Sequence, residues 1–343
     1  MDAAPRRPIL TFTFLELLDR TFRIYRENFL TFVGLTALVT IPITVINQIV
    51  ALSNFQSVSN YNSYSSSSSM LPAMCFASVI SIVAALLQAV LINAPITYIT
   101  SENQLGRKVS IGEAFRGTQH RFSNLGCGFI LFYVVVMAFG IAIGLLSAAC
   151  NPAIVAFGLV AYIGIATYAF LVPILTLENV GTSFGVNRAW ALGKARFWTV
   201  TGFIVAISVI TFIISLAFST VAQWLILQFL ASTASQTTYT IAMTVLSTFL
   251  SIFTIPLMPI GLTLLYYDTR TRVEGLDIAF ESAENPSARP WDVDSPPVHN
   301  GLTGKDLVNI LILTVGVVII TALAGAALSS LFSQYLPGLN LPR

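Results

Sequence analysis

Seven stretches of the chain, at about residues 29–52, 71–99, 125–149, 152–177, 198–229, 241–267 and 307–336, contain no Asp, Glu, Lys or Arg. A helix needs about 20 apolar residues to cross a bilayer core of about 30 Å, and each stretch exceeds that. Barrel strands do not fit, because they are about 10 residues long and alternate in hydropathy. The expected fold is an all-α polytopic transmembrane helix bundle of about seven spans. Composition rules out a water-covered surface: 55% of the residues are hydrophobic and 9% charged, against about 25% charged in soluble domains.

The basic residues give the orientation. Arg6, Arg7, Arg20, Arg23 and Arg26 precede the first span. Arg107, Lys108, Arg116 and Arg121 join the second to the third. Arg188, Lys194 and Arg196 join the fourth to the fifth, and Arg270, Arg272, Arg289 and Lys305 follow the sixth. Of the 17 Lys and Arg, only Arg343 falls on the opposite side. The positive-inside bias then predicts a cytoplasmic N-terminus and an outside C-terminus in the cell (inner) membrane. The N-terminal segment lacks the short apolar core of a cleavable signal, so the first span is expected to be an uncleaved anchor.

Three segments resemble one another. Each opens with a basic amphipathic stretch, then a span, a charge-free turn, and a second span with a proline near its inner end. An acid follows: Pro95 leads to Glu102, Pro173 to Glu178 and Pro259 to Asp268. This predicts a six-span core of three hairpins, all in the same orientation, with interfacial amphipathic helices at the entries. The first entry places Phe14, Leu18, Phe22, Tyr25 and Phe29 on one helical face. Ser110 and Glu113 have capping-box spacing at the second. Val186, Trp190 and Phe197 mark the third. All three are expected to lie in the inner interface as a collar.

The boundaries that follow are 1–28, a cytoplasmic interfacial helix; 29–280, the six-span core; 281–304, a Pro-rich cytoplasmic linker; and 305–343, the seventh span with an outside C-terminus. The last span carries Ala322, Gly325, Ala326 and Ser329 on one side. Small residues let membrane helices approach closely, so this is a candidate packing face toward the core or a neighbour.

Chemistry-bearing groups are sparse. The spans hold no ionisable acid or base, which disfavours an ion-driven transporter. Their polar groups are amides, Asn47, Gln48, Gln88, Asn93, Gln223 and Gln228, expected to bond between helices. Pro42, Pro95, Pro173, Pro256 and Pro259 are expected to kink or end helices. Three Cys and two His supply neither a metal site nor a disulfide framework, and no cofactor is expected. No nucleophile elbow, zinc-helix or phosphate-loop motif occurs. The net charge of +2 gives no nucleic-acid footprint. The densest charge cluster is Asp268, Arg270, Arg272 and Glu274 at the inner mouth of the sixth span. It is expected to form a structural network with the first interfacial helix, through Asp19 or Arg20.

The string from Pro259 through Tyr266, Tyr267, Asp268, Arg270, Arg272, Glu274, Gly275 and Asp277 resembles the end of the membrane domain of the glycerophosphoryl diester phosphodiesterase family. Leu17, Leu18, Asp19, Arg20, Phe22, Tyr25 and Phe29 look like its start. Phe184, Arg188, Trp190, Arg196, Phe197 and Trp198 fit its middle, so the likeness covers about residues 10–280. It implies the membrane half only. The phosphodiesterase barrel needs roughly 250 further residues with clustered His and Glu, and this chain has neither. The resulting expectation is a non-enzymatic integral membrane protein. It would be a scaffold or accessory subunit that touches lipid and a membrane-protein partner or a second copy of itself. The alternative is a channel or transporter for a neutral or lipid-like substrate, which a cavity lined by the amides would favour.

Overall fold

The computed structural model describes residues 11–59, 70–147, 153–230, 236–282, 289–293 and 301–335, and no strand occurs among them. Helix α1 (Phe14–Glu27) is fixed at its start by a capping box. The Thr13 hydroxyl accepts from the Glu16 amide at 3.4 Å, and the Glu16 carboxylate accepts from the Thr13 amide at 2.7 Å. Donors that α1 would otherwise leave unpaired are thereby satisfied. Helices α2 (Phe29–Ser59) and α3 (Met70–Gln104) form the first hairpin. Helix α4 (Ile111–Thr118) repeats the capping box with Ser110 and Glu113 and passes through one tight turn into α5 (Phe122–Ser147). Helix α5 pairs with α6 (Ala153–Leu177). The chain continues through α7 (Thr182–Ala195), α8 (Phe197–Leu230), α9 (Gln236–Thr254), α10 (Leu257–Glu274), α11 (Leu276–Ser282) and α12 (Gly304–Tyr335).

Six segments are long and apolar enough to cross a bilayer: Phe29–Val50, Ser78–Gln104, Ile111–Ile141, Gly158–Leu177, Phe197–Ile226 and Thr237–Glu274. The chain is a multi-pass membrane helix bundle, and these segments overlap the first six predicted spans. Residues 307–335 of the seventh predicted span lie in α12, whose 32 residues extend for about 48 Å at 1.5 Å per residue. The outer surface is apolar and open to lipid, as at Leu38, Ile41, Val45, Phe212, Ile213 and Leu216.

Helix α6 is the centre of the bundle. In its span 61% of the residues are buried, against 17–33% in the others. It touches α3, α5, α7, α8, α10 and α12.

Pro42, Pro95 and Pro173 stand inside unbroken helices. At Pro256 and Pro259 the predicted sixth span ends one helix and starts another, α9 and α10. Pro256 occupies the break, and Pro259 falls in the first turn of α10, where a missing N–H costs least.

The third amphipathic entry does not lie flat in the interface. Helix α7 runs antiparallel along α6, with Gly185 against Leu175 and Gly193 against Ala166. Gly185, Ala189 and Gly193 are spaced by four and form a buried stripe. A Cβ on Gly193 would lie 2.0 Å from the Ala166 carbonyl oxygen, so only glycine permits this approach. The helix is buried because its small face matches α6, which outweighs the interfacial pull of its basic residues.

Helix α12 docks on α6 through its first turns. Ile310 packs with Tyr162, Ala166 and Phe197. Gly158 sits against Thr314. The backbone of α12 carries Ala322, Gly325, Ala326 and Ser329, but their side chains lie outside the described residues.

Candidate functional site

The acids that end the three proline strings, Glu102, Glu178 and Asp268, are all buried, at 1%, 1% and 2% exposure. Burying an unpaired carboxylate is costly, and each is held by arginines.

Glu178 is the centre of the tightest node. It follows the last residue of α6, and its amide still donates to the Ile174 carbonyl at 2.9 Å. Helix α7 supplies Arg188, whose side chain is fully buried. Helix α10 supplies Tyr266, Arg270 and Glu274, spaced by four and therefore on one helical face. Arg188 donates through Nε to Glu178 at 2.5 Å and through Nη2 to Glu274 at 2.7 Å. Arg270 donates through Nε to Glu274 at 2.8 Å, and its Nη1 lies 3.5 Å from Glu178. Tyr266 donates to Glu178 Oε1 at 2.8 Å and accepts from Arg270 at 2.9 Å. Two guanidiniums and two carboxylates thus alternate in a closed, formally neutral ring that joins α6, α7 and α10. Arg121, in the tight turn just before α5, donates to the Glu178 carbonyl and ties the entry of α5 to the node.

Asp268 forms the second node. It accepts from the Phe12 amide at 2.8 Å, from Arg272 at 3.0 Å and from Arg196. Arg272 also donates to the Phe12 carbonyl at 2.9 Å. The segment entering α1 and the α7–α8 joint are thereby pinned to α10. Glu102 forms the third node, with Arg107 at 3.3 Å and Arg289 at 3.1 Å. The Arg289 contact ties part of the predicted linker to α3. Beside this node, Tyr267 and Ser101 share a hydrogen bond of 2.7 Å.

The predicted network is placed as follows. Asp268, Arg270, Arg272 and Glu274 are brought together at the basic end of the bundle. Asp19 instead pairs with Arg23 on its own helix at 2.6 Å, and Arg20 reaches Gln104 at 3.5 Å. The ion pairs of the 268–274 cluster run to Glu178, Arg188 and Arg196. Glu178, Arg188 and Arg196 lie more than 70 residues from the cluster, and the acid after each proline string and the four-residue spacing on α10 are the visible signals of the pairing.

A further polar clasp fixes α12. Asp306 accepts from Tyr162 at 2.5 Å, from the Thr303 amide at 2.7 Å and from the Thr303 hydroxyl at 2.9 Å. Burial pushes the Asp306 carboxyl up, but these donors and the charge of Lys194 outweigh it and hold the carboxyl below its usual range.

Two cavities bear on function, and the second of them adjoins the Asp268 node and the Asp306 clasp. A cleft of about 410 Å³ lies between α3, α6, α8 and the α9–α10 break, lined by Gln88, Asn93, Tyr168, Thr211 and Thr254 among apolar residues. A groove of about 800 Å³ lies between the starts of α8 and α12. The intramembrane amides divide in use. Gln48 accepts from Thr244 across the α2–α9 contact at 3.2 Å, whereas Asn93 donates to Ala89 in its own helix at 2.8 Å. Among the described residues no three His, Cys, Asp or Glu are grouped to hold a metal.

No protein-family model, curated protein or solved structure matches the chain.

Proposed function

We propose that the chain is a non-enzymatic membrane scaffold or accessory subunit, set in the cell membrane with its basic end in the cytoplasm. The observation that carries this reading is the closed ring of Glu178, Arg188, Glu274 and Arg270. Its charges are spent on one another and on Tyr266, across helices far apart in the chain. A neutral ring of this kind holds helices in register and has no spare charge to offer a substrate. The 16 basic residues on that side support the orientation. The likeness of the 259–277 string to a phosphodiesterase-associated membrane domain supports an integral-membrane role.

The experiment is reconstitution of the purified chain into vesicles, with the flux of neutral solutes and the transfer of labelled lipid between leaflets followed together. A scaffold leaves both at the rate of protein-free vesicles. Flux above that rate, abolished by filling the amide-lined cleft with Asn93→Leu, would overturn the reading in favour of a transporter. The cleft at the α9–α10 break is the specific feature that favours this second reading, because broken helices in membranes line cavities.

A further inference from the structure

The groove between α8 and α12 has an unusual lining. Lys194, Arg196 and Lys305 contribute three cations, and Asp306 is the one acid. Both Asp306 oxygens are already engaged, one by Tyr162 and the other by Thr303. Arg196 is held by Asp268. Among the described residues neither Lys194 nor Lys305 has a carboxylate within ion-pair distance. Lys194 is positioned by the Gly301 carbonyl at 2.7 Å and by the face of Trp190 at 5.8 Å. Among the described residues the groove lining carries more positive than negative charge, with Asp306, close enough to feel Lys194, as its one acid. Helices α8 and α12 both begin at its wall, where α7 also ends, so two positive helix ends face one negative end there.

Its depth is fixed by the span that starts there. The apolar segment of α8 opens at Phe197. Trp198 is 48% exposed and donates to Asn309 of α12 at 2.9 Å. An exposed indole at the start of a span marks the headgroup layer. Beyond the cations, the outer side of α12 is apolar and uncovered at Leu307, Val308, Leu311 and Ile312. The groove thus offers a cationic pocket at headgroup depth that continues into an acyl-compatible face.

We propose that this groove binds the phosphate of an anionic phospholipid, with Lys194 and Lys305 on the phosphate and the chains along α12. The inference rests on the membrane orientation given above and adds a ligand class to it. A free phosphate would meet the same lysines but would gain nothing from the apolar face.

The test uses the full chain in neutral detergent, titrated with phosphatidic acid, with phosphatidylcholine and with inorganic phosphate, and read by native mass spectrometry. Phosphatidic acid is expected to remain bound and phosphatidylcholine to be lost. Lys194→Gln with Lys305→Gln should weaken phosphatidic acid binding roughly 30-fold, about fivefold for each basic residue. Lys194→Arg with Lys305→Arg should restore it. Both double variants should melt with the wild type in phosphatidylcholine, which separates lost binding from lost folding. Unchanged phosphatidic acid binding in the Gln variant would overturn the site. Displacement of the lipid by an equal concentration of inorganic phosphate would overturn the lipid as its ligand. Neither result bears on the vesicle flux that tests the scaffold reading.

Discussion

Arg188 and Glu274 stand 86 residues apart in the chain and meet at 2.7 Å in the interior of the basic end. Their contact joins α7 to α10, and through Glu178 the same arginine joins both to the end of α6. Three consecutive apolar hairpins could pack in many registers if only apolar surface were matched. A charge buried in one place can be satisfied only by its own partner. The ring therefore selects one arrangement of the inner helix ends, whatever its net contribution to stability.

The packing of α7 on α6 gives a sharp prediction. At Gly193 an added methyl group meets the Ala166 backbone at 2.0 Å, and backbone cannot rotate away. Gly193→Ala should destabilise the protein by about 1–3 kcal/mol or more through overpacking. Gly126→Ala in α5, where nothing lies within 4 Å, should be neutral or stabilising by up to about 1 kcal/mol. Thermal unfolding in one detergent compares the two, and equal effects would count against the close approach.

Docking of α12 should depend on pH in a defined direction. The Asp306 carboxyl lies below its usual value in the folded protein. A lowered carboxyl contributes stability that is present above the unfolded value, about 3.9. That contribution fades only as pH falls through the lower folded value. Spin labels on α6 and α12 should therefore hold their separation from neutral pH down to about 4 and part below it. Asp306→Asn should remove that dependence, and a separation that already changes between pH 6 and 5 would point to another group.

Much of the fold was legible in the sequence, because a bilayer punishes charge so strongly that charge-free runs delimit the spans. The α9–α10 break was half legible: Pro256 and Pro259 signalled it, yet Pro42, Pro95 and Pro173 gave the same signal inside continuous helices, so the sequence did not say which proline ends a helix. Helix α7 was misread for a physical reason. Arg188, Lys194 and Arg196 look interfacial on a helical wheel, and the Gly185, Ala189, Gly193 stripe that buries the helix has no hydropathy. The site was legible as members but not as pairs. Glu178 and Asp268 stood out at the ends of their proline strings, and Arg270 and Glu274 as a cluster. Asp19 and Arg20 were the nearest-looking partners, and no local pattern places Arg188 against Glu274. The side chains of Ala322, Gly325, Ala326 and Ser329 lie outside the described residues.

Orientation is checked by reporters fused at Ser66, at Asn179 and after Arg343. The distribution of basic residues predicts outside, inside and outside. An inside signal at Ser66 would invert the assignment and move the α8–α12 groove to the other face.

The most direct measurement is a double-mutant cycle on Arg188→Leu and Glu274→Gln, read as unfolding free energy of the full chain in bilayer-like detergent. Removing Arg188 leaves the buried Glu178 and the part-buried Glu274 short of a partner, so that variant alone should lose about 3–5 kcal/mol. The double variant should lose less than the sum of the singles, with a coupling of about 1–3 kcal/mol. Strictly additive losses, or an Arg188→Leu variant as stable as the wild type, would contradict the ring as the clasp of the basic end.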